Sequence, residues 1–360
     1  MKKSLIIILS IVVLVAVAIL GSCIFYNLNL RAVSSNSLEV EFMVDSGSTY
    51  YNIGSKLKEQ GLIRNELCFK LYVKFNKVNS LEAGTYKLNK NMSVKEIVEE
   101  FSKGNTYNPD AIVITFKEGK NMRSIASTIA LNTNNTEDDV YNLLKDQEYL
   151  NSLINEYWFI NEEILNTDIY YSLEGYLYPN TYEFENKDVT VKQIFNTMLD
   201  EMDKRLENYK TDILSSDYSI HEILTLASIV ELEGKQVSDR AGIAGVFYNR
   251  LNSGMSLGSD VTTYYAAKID MSERDLYTYE INDQNNYNTR SSYLAGKLPI
   301  GPISNPSLES IKAALYPENN DYFYFVADKN GKTYFSETYN EHIATRDDLI
   351  KAGLWYTYED

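Results

Sequence analysis

The stretch LASIVELEGK, residues 226–235, sets two glutamates, Glu231 and Glu233, one residue apart at the end of an apolar run. On a helix, Leu226, Ile229, Val230 and Glu233 stand at i, i+3, i+4 and i+7 and share one stripe. Glu233 falls about 20° from Leu226 around the helix axis, and Glu231 about 140° round. The two carboxylates are therefore expected to have different roles. A carboxyl on an apolar stripe resists ionisation, so its pKa rises. A carboxylic acid kept protonated near neutrality can hand a proton to a leaving oxygen, which is the need of glycosidic-bond cleavage. Gly234 is expected to end the helix and leave the acid at a cleft edge. The same residues also allow Glu233 to be a helix-end cap or one half of an ion pair.

The chain that must position these residues has 360 of them, long enough for two domains with accessory pieces. A net charge of -16 disfavours nucleic acid and anionic membrane surfaces as partners. Two histidines, His221 and His342, form no cluster at metal-ligand spacing, so neither a metal nor another cofactor is expected. The two cysteines, Cys23 and Cys68, give no disulfide framework.

The first 30 residues are read as a transmembrane anchor. Residues 5–25 carry no charge, enough to cross a hydrocarbon core as a helix. Lys2 and Lys3 precede the run, which keeps the N-terminus cytoplasmic and places the rest outside. LGSC at residues 20–23 resembles a bacterial lipobox, leaving lipidation of Cys23 as an alternative. Residues 31–38 read as a linker. Residues 39–105 alternate strand and helix patterns: EVEFMV, a helix closed by Gly61, a helix opening at Asn65, the strand AGTYKL, and a helix ending at Gly104. A second domain, 110–355, is helical to about residue 252 and mixed thereafter. Near its end, Asn330-Gly331 suits a type I′ turn between alternating strands.

Around the two glutamates the sequence resembles the YceG-like (MltG-type) endolytic murein transglycosylases. The carriers are the block LASIVELEGKQVSDRAGIAGVFYNRLNSGMSLGSDVTTYYA, then NYNTR, GKLPIGPISNPSLESIKAAL and YFYFVAD in that order. Upstream, AGTYKL, KEG at 117–119 and EGYLYPNTYEF also match. The resemblance covers roughly residues 40–345. It implies an α+β protein with a small LysM-like α/β domain (39–105) before a larger catalytic domain. Catalysis falls to the second glutamate of the E-x-E, here Glu233. The implied activity is non-hydrolytic cleavage of MurNAc–GlcNAc β-1,4 bonds within peptidoglycan, leaving 1,6-anhydro ends and ending glycan elongation. The implied setting is the cytoplasmic membrane with the catalytic domain outside, beside cell-wall synthases or other elongation-complex proteins. A non-catalytic wall-binding scaffold is the alternative class. Gly258 and Val261 depart from the family pattern, where Gln and Pro are common.

Further candidates follow from side-chain chemistry. Asn288 and Thr289 are expected to hydrogen-bond a sugar N-acetyl group or to orient Glu233. Asn249 and Arg250 are candidates to meet a carboxylate or peptide stem, and Tyr178, Tyr182 and Tyr287 to stack on pyranose rings. Asp260 is the expected second carboxylate, and Glu174 matches the family.

Overall fold

The computed structural model describes residues 2–78, 81–104 and 106–355. It combines helices with small two-stranded antiparallel sheets, an α+β architecture, and separates into two compact units, Met1–Ala111 and Ile112–Asp360.

The first unit begins with α1 (Lys2–Asn29), whose span Leu5–Asn29 is long and apolar enough to cross a membrane and is exposed along most of its length, with Tyr26 near its end edge-on to the Phe75 ring. The polar segment 31–38 is irregular but not loose. The Arg64 guanidinium donates to the Ala32 carbonyl at 2.7 and 2.9 Å, and the Ser34 amide donates to the Lys90 carbonyl at 3.0 Å. Then come β1 (Glu39–Val44), α2 (Tyr50–Glu59), α3 (Glu66–Phe75), β2 (Gly84–Asn89) and α4 (Val94–Lys103). β1 and β2 pair antiparallel with Phe42 opposite Tyr86, and Phe42, Leu57, Phe69, Leu88 and Phe101 close the core. The helix limits follow local chemistry. Asn65 caps α3, a Ser93–Glu96 capping box opens α4, and Gly104 closes it in the left-handed region. Asn105, the expected end of this domain, lies outside the described residues.

The second unit runs β3 (Ile112–Thr115), α5 (Met122–Asn132), α6 (Glu137–Leu143), α7 (Gln147–Glu156), β4 (Thr181–Phe184), α8 (Val191–Leu206), α9 (Lys210–Leu214), α10 (Ile220–Glu233) and α11 (Arg240–Asn252). It continues through α12 (Asp260–Ala267), α13 (Thr278–Ile281), α14 (Leu308–Leu315), β5 (Tyr324–Ala327), β6 (Thr333–Ser336) and α15 (Tyr339–Lys351). At the centre is α10, packed against α11, α12 and α14. Every residue from 223 to 230 is buried, so the apolar stripe of the sequence is one side of a helix enclosed all round there.

The loops around α10 are tied together by one side chain. Asn305 Oδ1 accepts from the Gly175 and Leu177 amides at 3.1 and 3.0 Å, and Nδ2 donates to the Lys120 carbonyl and to Glu174. Its backbone bonds Gly119 and Lys120. Gly175 sits at φ 85°, where an added Cβ would drive into the Pro302 ring. Gly175→Ala is therefore expected to destabilise the unit by more than about 1 kcal/mol, readable as a lower urea midpoint.

The β5–β6 hairpin corrects one expectation. The Asp328 amide pairs with the Lys332 carbonyl at 2.9 Å, leaving a three-residue loop, 329–331. Only Gly331 has positive φ, at 83°, so Asn330-Gly331 is not a type I′ pair. The cause is Asp328, whose Oδ1 accepts from the Asn330 and Lys332 amides at 2.8 and 3.0 Å and folds a wider turn.

Candidate active site

The two glutamates end in different surroundings. Glu231 is buried and forms a two-pronged ion pair with Arg240, at 2.9 and 3.1 Å. Its Oε2 also accepts from the Ser307 amide at 2.9 Å and the Ser307 hydroxyl at 2.5 Å. Arg240 in turn donates to the Gly234 carbonyl and to Ser307 Oγ. Both carboxylate oxygens of Glu231 are engaged and its charge is paired, which makes Glu231 a structural residue.

Glu233, the last residue of α10, has one hydrogen-bond partner in the described structure, the Ser259 hydroxyl, at 2.6 Å to Oε1. That length is typical of a hydroxyl donating to a carboxylate. Burial pushes the Glu233 carboxyl above its ordinary range, and the Asp260 charge adds to the rise. The Ser259 bond and the Arg250 and Arg290 cations oppose it. With Oε1 accepting, Oε2 is left to carry the proton. Gly234 ends the helix for reasons of space. A Cβ there would sit 2.7 Å from Arg240 Cγ and 3.1 Å from the Val230 carbonyl.

Ser259 was not singled out by its sequence, because it stands in the N-cap position of α12 and reads as an ordinary cap. It does not cap that helix; its hydroxyl turns to Glu233 instead. Thr289 holds it there, accepting from the Ser259 amide at 3.1 Å, while Thr262 Oγ1 bonds both the Ser259 carbonyl and Thr289 Oγ1. Gly258 precedes it at φ 66°, with its amide on the Thr289 carbonyl at 2.9 Å. Glycine suits this position because the chain here turns through the left-handed region. Ser259→Ala is expected to lower kcat about tenfold through loss of one bond to a charged group. Because that bond favours the ionised acid, its removal moves the alkaline limb of the pH–rate profile upward.

The remaining candidates sort by what they touch. Thr289 orients Glu233 through Ser259 and is fully buried, so it does not reach a sugar. Asn288 is also fully buried. Its Nδ2 donates to the carbonyls of Glu280, Ile281 and Asp283, and Oδ1 accepts from Thr263 Oγ1 and the Arg290 amide. No polar atom of Asn288 is left for an N-acetyl group. Asn249 donates to the Asn320 and Tyr322 carbonyls, at 2.8 and 2.9 Å, and fixes the approach to β5. Arg250 joins the Phe323 carbonyl, at 2.6 Å, to the Leu257 carbonyl and lies over the Tyr324 ring. Its charge acts on Glu233, but its nitrogens hold loops rather than a peptide stem.

Tyr178, Tyr182 and Tyr287 are buried and do not offer faces to a pyranose. Tyr178 lies under Arg205, Tyr182 donates to the Tyr178 carbonyl, and Tyr287 packs between Tyr170 and Tyr265. Glu174 is buried and accepts from the Met122 amide, Tyr265 Oη and Asn305 Nδ2 at 2.9–3.0 Å. Burial still pushes its carboxyl up to about 8. It belongs to the Asn305 junction rather than to a surface. Asp260 is half exposed beside Glu233 and pairs with Arg290 at 2.9 Å. Ser259, Asp260 and Arg290 thus surround one protonatable carboxyl at a helix end, an arrangement suited to general acid chemistry.

The chain as a whole is similar to known proteins. The model of the YceG-like family matches residues 42–348. The chain is 35% identical over 337 residues to the endolytic murein transglycosylase of Bacillus subtilis, covering 93% of this chain and 92% of that one. It is 32% identical over 329 residues to the protein of the same name in Streptococcus pneumoniae D39, covering 87% of this chain but 59% of that longer relative. The 2.6 Å crystal structure of a yceG-like protein from Listeria monocytogenes superposes with a TM-score of 0.61 at 35% identity, covering 86% of this chain and all of that one. With the fold, the ordered motifs and the full span in agreement, this chain belongs to the YceG-like family.

Proposed function

We propose that the chain is an endolytic murein transglycosylase that cleaves peptidoglycan strands internally, with Glu233 as the proton donor. The observation that carries this reading is the Glu233 carboxyl, raised by burial and held through one oxygen by Ser259. Glu233 gives its proton to the oxygen of a MurNAc–GlcNAc β-1,4 bond, the C1–O bond breaks, and GlcNAc leaves as the alcohol. The C6 hydroxyl of the same MurNAc attacks C1, assisted by the Glu233 carboxylate or the substrate's N-acetyl group. Its proton returns to Glu233, so the product is a 1,6-anhydro end and no water is consumed. One protein carboxylate suffices because the nucleophile belongs to the sugar, unlike two-carboxylate hydrolysis.

Around this chemistry, α1 is read as a single-pass anchor in the cytoplasmic membrane, with the remainder extracytoplasmic, and cell-wall synthases as neighbours. Residues 39–105 are read as a LysM-like glycan-binding module. What supports that reading is the β1-α2-α3-β2 order with antiparallel strands. Residues 110–355 form the catalytic domain. Digestion of purified glycan followed by mass spectrometry of the ends tests the reading. Anhydro termini are expected; reducing termini with added water, or no cleavage, overturn it.

A further inference from the structure

Two cavities in the second unit join at Lys120, Asn121, Ser124 and Asp270. The smaller, about 260 Å³, starts against Leu232 at the last turn of α10, one residue before Glu233, and is walled by Val261, Tyr264 and Met271. The larger, about 520 Å³, continues between Lys117, Lys120 and Arg123. Three cations thus converge on one groove in a chain of net charge -16. Asp270 and Glu273 also line it, Glu118 and Glu231 line the smaller cavity, and Arg123 donates one bond to the Lys268 carbonyl, so the lining is mixed in sign with the cations gathered in the larger cavity. Ser272 hydrogen bonds, with Lys120 and Arg123 nearby, hold Asp270 below the usual carboxylate range. At the α10 end, burial and then the Glu231 charge push the Glu118 carboxyl up, which weakens the negative field there.

In peptide-bearing strands the N-acetylated glycan backbone is uncharged, its lactyl carboxyl being held in the amide to the peptide, and gives such a groove nothing to pair with; removal of the peptide frees a single lactyl carboxylate on each MurNAc. The charges of peptidoglycan lie on its stem peptide, which carries several carboxylates and one side-chain amine. That peptide hangs from the MurNAc ring whose C1 is attacked, so it must leave the acid within one sugar's width. We propose that this groove is the subsite for the stem peptide of the MurNAc being cleaved. Lys117, Lys120 and Arg123 meet its carboxylates, and Asp270 and Glu273 face its amine. The proposal rests on the transglycosylase reading and extends it from glycan to peptide-bearing glycan.

The test uses the full-length protein in detergent and one glycan preparation in two forms, with its peptides and stripped of them by an amidase. Lys120→Glu and Arg123→Glu are compared with the parent protein, with Lys120→Gln as the milder variant should a reversal lower the melting point. The ratio of kcat/KM for peptide-bearing over stripped strands is expected to fall about tenfold on charge reversal, through KM. An unchanged ratio overturns the subsite. Should the parent protein cleave neither glycan, the transglycosylase reading fails separately, and co-sedimentation with the two glycans decides the subsite. A preference for peptide-bearing strands that disappears in Lys120→Glu then upholds it, and binding indifferent to peptide or variant rejects it.

Discussion

Replacing Glu233 by glutamine leaves a folded protein that no longer cuts glycan. An amide has nearly the shape of the carboxyl and can still accept the 2.6 Å bond from Ser259 through its oxygen. What it lacks is a transferable proton. General acid catalysis contributes on the order of 10²–10⁴ in rate, so kcat should fall by at least that range while the melting point stays near that of the parent protein. Product analysis by mass spectrometry reads the first and circular dichroism the second. The pH profile supplies an independent check. Burial raises the Glu233 pKa, so the protonated, active form persists above the ordinary carboxylate range and is lost as pH climbs through the raised value. Activity that is indifferent to pH across and beyond that limb would remove Glu233 from the proton-donor role.

Arg240→Ala is expected to have the largest effect on stability. It strips the cation from buried Glu231 and leaves the Gly234 carbonyl and Ser307 hydroxyl without a donor they now share. Breaking a buried pair from one side costs about 3–5 kcal/mol, on the order of 10 °C in a unit of this size. Glu118 also lies in the field of Arg240, which opposes the rise that burial imposes on it. Without the cation, the folded protein holds the Glu118 proton to still higher pH than the unfolded chain does. The sign follows: the variant's deficit is smallest in acid and grows as pH rises through the raised Glu118 value. Glu231→Gln retains bonds to Ser307 but loses the charge. Its kcat per folded molecule is expected to stay near the parent value while its melting point drops, which separates the scaffold glutamate from the reactive one. Equal loss of kcat in the folded Glu231 and Glu233 variants would contradict that division.

What the sequence revealed was largely local. The helix opening at Asn65, the stop at Gly104 and the strand EVEFMV follow from neighbouring residues, and they appear where their patterns put them. The helical phase of Glu233 also distinguished it from Glu231, although the reason given was incomplete: α10 is buried on every side, and the difference lies in partners. Those partners come from far away. Asn249 bonds residues 71 and 73 positions on, and Glu174 bonds Tyr265 and Asn305. No local pattern separates an amide that binds a sugar from one that fastens a distant loop. Ser259 shows the converse. A serine just before a helix looks like a cap, and only the approach of α10 gives its hydroxyl another use.

The Asn305 junction has a bearing on how the enzyme comes into being. One amide side chain links loops up to 185 residues apart, and Ser307, two positions later, completes the surroundings of Glu231. Loops that close over such separations form late, after the entropy of a long chain has been overcome. A growing polypeptide that has just emerged past residue 260 already contains the acid and its serine, yet the support beneath them is still unsynthesised. A potentially wall-cutting chain is thereby kept incompetent until Asn305 and Ser307 are available to fold.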